Sequence, residues 1–151
     1  MTWCVVGSFD DDVNKFQRKT VDKMNQAIRK VSLEILGSVV LKSPVDTGRF
    51  RSNWQVSIGS VSSGTVSYAV TETIGERAGN KGPVYESTIA KSRGIANTAK
   101  AGDVIYIANN LPYAVRLEEG YSGQAPAGMV TLTVQEFAST LKRIGSEISR
   151  Q

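Results

Sequence analysis

Between residues 12 and 41, apolar side chains recur at Val13, Phe16, Met24, Ala27, Ile28, Val31, Ile35 and Val39, with Thr20 in the gap. Spacings of three and four place them on one stripe of a long helix. At about 1.5 Å per residue such a helix spans roughly 45 Å, more than one small domain needs to cover its own core. A helix that overhangs its domain calls for a second partner, and this constrains the fold more than any other feature. Asp10, Asp11 and Asp12 stand at its expected start. Carboxylates there complement the unpaired N–H groups and the helix dipole, which is preferred to a metal site. Gly37 is a weak point in the helix. Ser43-Pro44 closes it, because the residue before a proline is driven out of the helical region.

Beyond the proline, Asp46, Thr47 and Gly48 form a tight turn: the first two can bond nearby backbone N–H groups, and Gly48 permits positive φ. The period then changes to two. Trp54, Val56 and Ile58 alternate with polar residues, and after Ser62-Ser63-Gly64 so do Val66, Tyr68 and Val70, the pattern of a β-hairpin with one buried face. Residues 75–102 are rich in Gly, Ala, Ser, Asn and Lys and are expected to be an extended, partner-facing loop, with room for one or two helical turns within 84–95, interrupted by Gly94. Asp103 to Ala108 reads as a central strand, apolar on both faces. Residues 113–120 read as a short helix or extended segment stopped by Gly120, and 121–128 as a compact loop. Val130, Val134, Phe137, Leu141, Ile144 and Ile148 then mark an amphipathic helix over 127–150. The expected class is α+β: one domain over 1–151 with a long N-terminal helix, a small antiparallel sheet (hairpin plus central strand), a C-terminal helix and an N-terminal arm, 1–11.

The chemistry available is narrow. The 151 residues include no histidine and one cysteine, Cys4, read as a small hydrophobe or free thiol in the arm. That removes Cys/His zinc sites, an internal disulfide framework and any imidazole base. No nucleophile elbow or phosphate-cradling loop occurs. Glu118 and Glu119 are adjacent carboxylates, but neighbouring helical residues diverge and cannot easily share a ligand. No enzyme, metal or cofactor is expected. The N-terminus has no basic stretch and turns acidic by Asp10, unlike a secretory signal, so a cytosolic origin is expected. The net charge of +4 is mild, with its excess in 15–42 and 76–101. Solvated faces are preferred to a phosphate-contacting surface there, although weak, salt-sensitive attraction to DNA stays open.

Two segments resemble a known family. Ser43-Pro44-Val45-Asp46-Thr47-Gly48-Arg49-Phe50-Arg51 resembles its Pro-x-Asp-Thr-Gly-Arg-hydrophobic-Arg motif, which follows a long N-terminal helix. Asn109-Asn110-Leu111-Pro112-Tyr113-Ala114-Val115-Arg116-Leu117-Glu118-Glu119-Gly120 is similar to its Asn-x-x-Pro-Tyr-Ala-x-x-Leu-Glu-x-Gly motif. Gln124-Ala125-Pro126-Ala127-Gly128 resembles the continuation into the last helix. The family is the neck or tail-completion proteins of long-tailed bacteriophages, virion components that join the DNA-filled head to the tail. The segment 75–102 has no counterpart in it.

The resemblance implies a small α+β domain assembled as a closed ring at the head–tail junction, made in the host cytoplasm. A hexamer is expected, with a dodecamer as the other choice. The implied neighbours are the head-side connector or adaptor, the tail terminator or tube, and DNA in weak contact through the lumen; no membrane is implied. By position, Asp46-Thr47-Gly48 would fix the helix-to-sheet corner, and Asn109, Pro112, Tyr113, Gly120, Gln124, Pro126 and Gly128 carry the second motif. Arg49 and Glu118 are either a partly buried ion pair or two exposed charges. Trp54 and Tyr113 are expected in the core. Phe9 in the arm, Arg77, Lys81 and Arg93 in 75–102, and Tyr121 in the last loop are the interface candidates. Two other classes compete: a nucleic-acid-binding module using the basic face of helix 12–41, and a hydrolase using Glu118 or Glu119.

Overall fold

A computed structural model of the chain describes residues 6–67 and 76–150. Its longest element, α1 (Val6–Lys42), has 37 residues and so is about 55 Å long. The C-terminal helix α5 (Met129–Ser149) lies antiparallel against the second half of α1. Lys30 pairs with Glu147, Arg143 with Glu34 at 3.2 Å, and Lys42 with Glu136 at 2.7 Å. Since α5 ends opposite Lys30, the first half of α1 runs on alone, and every residue from Ser8 to Asp22 is exposed. The overhang anticipated from helix length is there.

Between these helices come α2 (Arg49–Ser52), β1 (Trp54–Ile58), α3 (Pro83–Ala96), β2 (Ile105–Asn109) and α4 (Ala114–Glu118). The core gathers Leu36, Val39 and Val40 of α1 with Phe50, Trp54, Val56, Ile89, Leu111 and Met129. Phe50 meets the Trp54 ring edge-on at 6.0 Å, and the Trp54 indole N–H donates to Ser43 Oγ at 2.8 Å. The corner after the proline is therefore stitched to the end of α1. Strands β1 and β2 pair antiparallel in the register Trp54↔Asn109, Val56↔Ile107 and Ile58↔Ile105. Among the described residues, no helix is long and apolar enough to cross a membrane.

Several boundaries differ from expectation. The helix α1 begins at Val6, so the described part of the 1–11 arm is helical and Asp10, Asp11 and Asp12 fall inside the helix rather than at its cap. The dipole effect fades beyond the first turn, so these carboxylates lie past the positive end that they were expected to complement. Cys4 lies outside the described residues. The partner of β1 is β2, while residues 65–67 return beside Asn53 without strand pairing: Val66 N–H donates to Asn53 Oδ1 at 2.8 Å, and Asn53 Nδ2 donates to Val66 O at 3.3 Å. Tyr68 and Val70 lie outside the described residues. The stretch 75–102 is not an extended loop over its described part, because it holds α3, a helix of 14 residues. Pro83 sits at its first turn, where a missing N–H costs little. Its buried face is Val84, Thr88, Ile89, Ser92 and Ala96, too small and polar to stand out as an apolar stripe.

Candidate assembly surface

The helix-to-sheet corner is built on the second arginine of the first motif. Gly48, with φ 78°, turns the chain into α2, and Arg51 one helical turn later is 0% exposed. Its guanidinium donates to Leu41 O at 3.0 Å, Ser43 O at 3.1 Å, Arg77 O at 2.9 Å and Asn80 O at 3.1 Å. It also donates to Glu76 Oε1 at 2.9 Å. The first two acceptors lie in the last turn of α1 and just past its end, where carbonyls lack helical partners. Glu76, equally buried, uses its carboxylate at the start of α3, accepting from Val84 N–H at 3.4 Å and Tyr85 N–H at 3.2 Å. One ion pair thus joins the negative end of α1 to the positive end of α3. Burial lowers the Arg51 pKa from its ordinary value, against the opposing hydrogen bond and charge of Glu76. A Cβ on Gly82 would sit 2.6 Å from the Glu76 carboxyl carbon, so the residue before α3 must stay small.

The second motif repeats this device at α5. Glu118 accepts from the N–H groups of Met129 at 3.0 Å, Val130 at 2.9 Å and Thr131 at 2.8 Å, and from the Thr131 hydroxyl at 2.8 Å. Neither α3 nor α5 has a side-chain cap of its own, and each takes a carboxylate from elsewhere in the chain. Arg49 is exposed and Glu118 is spent on α5, so these two do not form the pair weighed above. The buried ion pair belongs to Arg51 instead. Gly120, with φ 85°, lies against Pro126, whose carbonyl oxygen is 2.5 Å from where a Cβ would be.

Gln124 ties the two motifs together. Its Nε2 donates to Val45 O at 2.8 Å, and its Oε1 accepts from Val45 N at 3.3 Å and Ala78 N at 3.1 Å. Asn109 Nδ2 donates to Phe50 O at 2.9 Å, and Phe50 meets the Tyr113 ring at 6.0 Å, but Tyr113 is exposed and, unlike Trp54, does not belong to the core as expected. Asp46, Thr47, Pro112 and Pro126 are exposed. Gln124→Ala is expected to lower stability by about 1–2 kcal/mol, through three lost bonds at the seam. Urea unfolding followed by tryptophan fluorescence measures it, and an unchanged midpoint contradicts this role.

Outside this scaffold the surface carries exposed large apolar side chains. Phe9 is 70% exposed and Phe16 is 72% exposed, with Val13 and Met24 bare on the same helix. Along α5, Ile144 and Ile148 are buried, but Val130, Val134, Phe137 and Leu141 face outward. The stripe anticipated on α5 is thus only half used within the chain. Tyr121 is 75% exposed, its ring under the Arg116 guanidinium at 4.7 Å. Arg77, Lys81 and Arg93 are exposed, and the last two line a groove of about 570 Å³ between α1, α3 and α5. Among the described residues, no cluster of Cys, Asp and Glu could hold a metal ion. No curated protein and no solved structure matches the chain. A family described as bacteriophage HK97-gp10, a tail-component, matches residues 7–120, from α1 through α4.

Proposed function

We propose, since the chain belongs to the bacteriophage HK97-gp10-like family of tail components, that its copies close into a ring at the head–tail junction. There the ring would join the capsid connector to the tail terminator or tube, with the genome passing through its lumen. Six copies match a six-fold tail tube, and a dodecamer is the alternative. It would work by surface complementarity and without catalysis. The observation that carries this reading is the apolar surface left bare on α1 and α5. Apolar patches of this extent mark association surfaces. Stripes on two different elements suit contacts that run head to tail and close into a ring.

The test is a phage unable to make this chain. Full heads and finished tails that fail to join, seen by electron microscopy and rescued by the chain supplied in trans, are the expected result. Tailed, infectious particles formed without it overturn the reading. Lys15, Arg18 and Lys19, exposed on α1, favour a second reading as a nucleic-acid-binding module. Duplex binding that persists at physiological salt, with a steep salt dependence, would support that one.

A further inference from the structure

We infer that the bare first half of α1 docks, antiparallel, on the Val130–Leu141 stripe of α5 in a second copy of this chain. The inference rests on the ring reading and names the contact that would build the ring. The two surfaces have the same spacing. Phe9, Val13, Phe16 and Thr20 advance by four, three and four residues, and so do Val130, Val134, Phe137 and Leu141. Two helices with this seven-residue repeat interlock along a common seam.

The α1 face already accepts a helix of this kind. The line through Phe9, Val13, Phe16, Thr20 and Met24 continues at helical spacing through Ala27 and Val31 to Ser38, whose hydroxyl lies 3.1 Å from that of Thr133 on α5. Beside that line, Glu34 meets Arg143. The bare segment is therefore the same face on which the chain's own α5 packs, carried past the point where that α5 ends. Its own α5 is held where it is by Glu118 at its start and by burial of Met129, Ile144 and Ile148. The uncovered α5 stripe of another copy has the matching surface.

Charge sets the direction. In the antiparallel arrangement Phe9 meets Leu141 and Thr20 meets Val130. Asp10, Asp11 and Asp12 then fall near Lys142, and Lys19 and Lys23 near Glu119. The parallel arrangement would set the aspartates beside that glutamate and the lysines beside Lys142. The groups are exposed, so their contribution is to orientation more than to affinity.

Phe16→Asp and Val134→Asp test the contact, since both side chains are exposed and either variant should keep the wild-type near-ultraviolet circular dichroism and melting temperature. The wild-type chain is expected to sediment as an oligomer. Each variant alone should self-associate at least roughly tenfold more weakly, because an aspartate is forced into the seam. Mixed in equal amounts, the two should form a dimer that grows no further, each supplying the stripe the other lacks. Oligomers that survive both substitutions overturn the docking and leave the ring reading standing. Loss with Phe16→Asp alone also overturns it, because α1 would then engage some other surface. A wild-type chain that stays monomeric at all concentrations overturns docking between free copies, while the ring reading still stands or falls on the joining of heads and tails.

Discussion

Arg51→Met is expected to cost about 3–5 kcal/mol of stability, enough to leave much of the chain unfolded at moderate urea. The loss has two sources. Glu76 would keep a carboxylate in a buried site with only two backbone donors, and the carbonyls of Leu41, Ser43, Arg77 and Asn80 would lose the guanidinium. Leaving a buried charge unpaired costs far more than the intact pair contributes. The double variant Arg51→Met/Glu76→Gln should therefore recover part of the loss, since glutamine can still accept from Val84 or Tyr85 without a net charge. Arg49→Ala, on an exposed side chain of the same motif, should change stability by no more than about 0.5 kcal/mol. Urea denaturation of these proteins and of Glu76→Gln alone, which completes the cycle, decides it. Strict additivity, or a cost for Arg51→Met below about 1 kcal/mol, would show that the pair does not hold the corner.

The contrast between the two arginines shows where sequence reasoning stops. Proline, glycine and the change of period placed the corner at 43–54, and the corner is there. Which arginine turns inward depends on where α2 points, and that follows from packing of Phe50 and Trp54 rather than from neighbours in sequence. The partner, Glu76, sits in the stretch whose small, polar residues gave no periodic signal. A helix whose buried face is Val84, Thr88, Ile89, Ser92 and Ala96 looks like a loop until α1 and α2 are known to cover it. The signal that was available was Gly82-Pro83, a proline at a first helical turn with a small residue before it.

Long-range pairing was equally hidden. An alternating run next to β1 suggested a hairpin, yet the Asn53 side chain takes up Val66 and the pairing of β1 goes to β2, fifty positions away. By contrast α5 was legible almost to its ends, and α1 to its C-terminus but six residues short of Val6, because three- and four-residue spacing sustained over many turns has no other reading. Periodicity shows which side chains share a face without showing what covers it. The stripes on both helices are continuous in sequence; length announced the overhang of α1, and only the fold reveals that half of the α5 stripe is left bare. That unspent half is the part that bears on assembly.

Gly128→Ala is expected to cost about 2–3 kcal/mol and to act through α5. The residue has φ 74° and ψ 156°, a region that is essentially reserved for glycine, where other residues pay of the order of 1–3 kcal/mol. An added Cβ would also lie 2.5 Å from Glu118 Oε1 and 2.6 Å from the Glu118 carbonyl oxygen, so the cap must shift as well. Glu118→Gln separates the two effects by weakening the cap without strain, at about 1 kcal/mol. For Glu118 burial would raise the pKa, but hydrogen bonds from Val130, Thr131 and Met129 outweigh it and hold the carboxyl below its ordinary 4.5. A folded-state pKa below the unfolded one adds stability that is fully present at neutral pH and is lost as pH falls through and below the ordinary carboxylate range. The gap between wild type and Glu118→Gln should therefore be widest near neutrality and close in acid, while the cost of Gly128→Ala should persist because backbone strain does not titrate. Urea unfolding of the three proteins across that range measures both. A gap that stays constant into acid would mean the carboxylate does not cap α5, and the helix that presents Val130, Val134, Phe137 and Leu141 to a second copy would need another anchor.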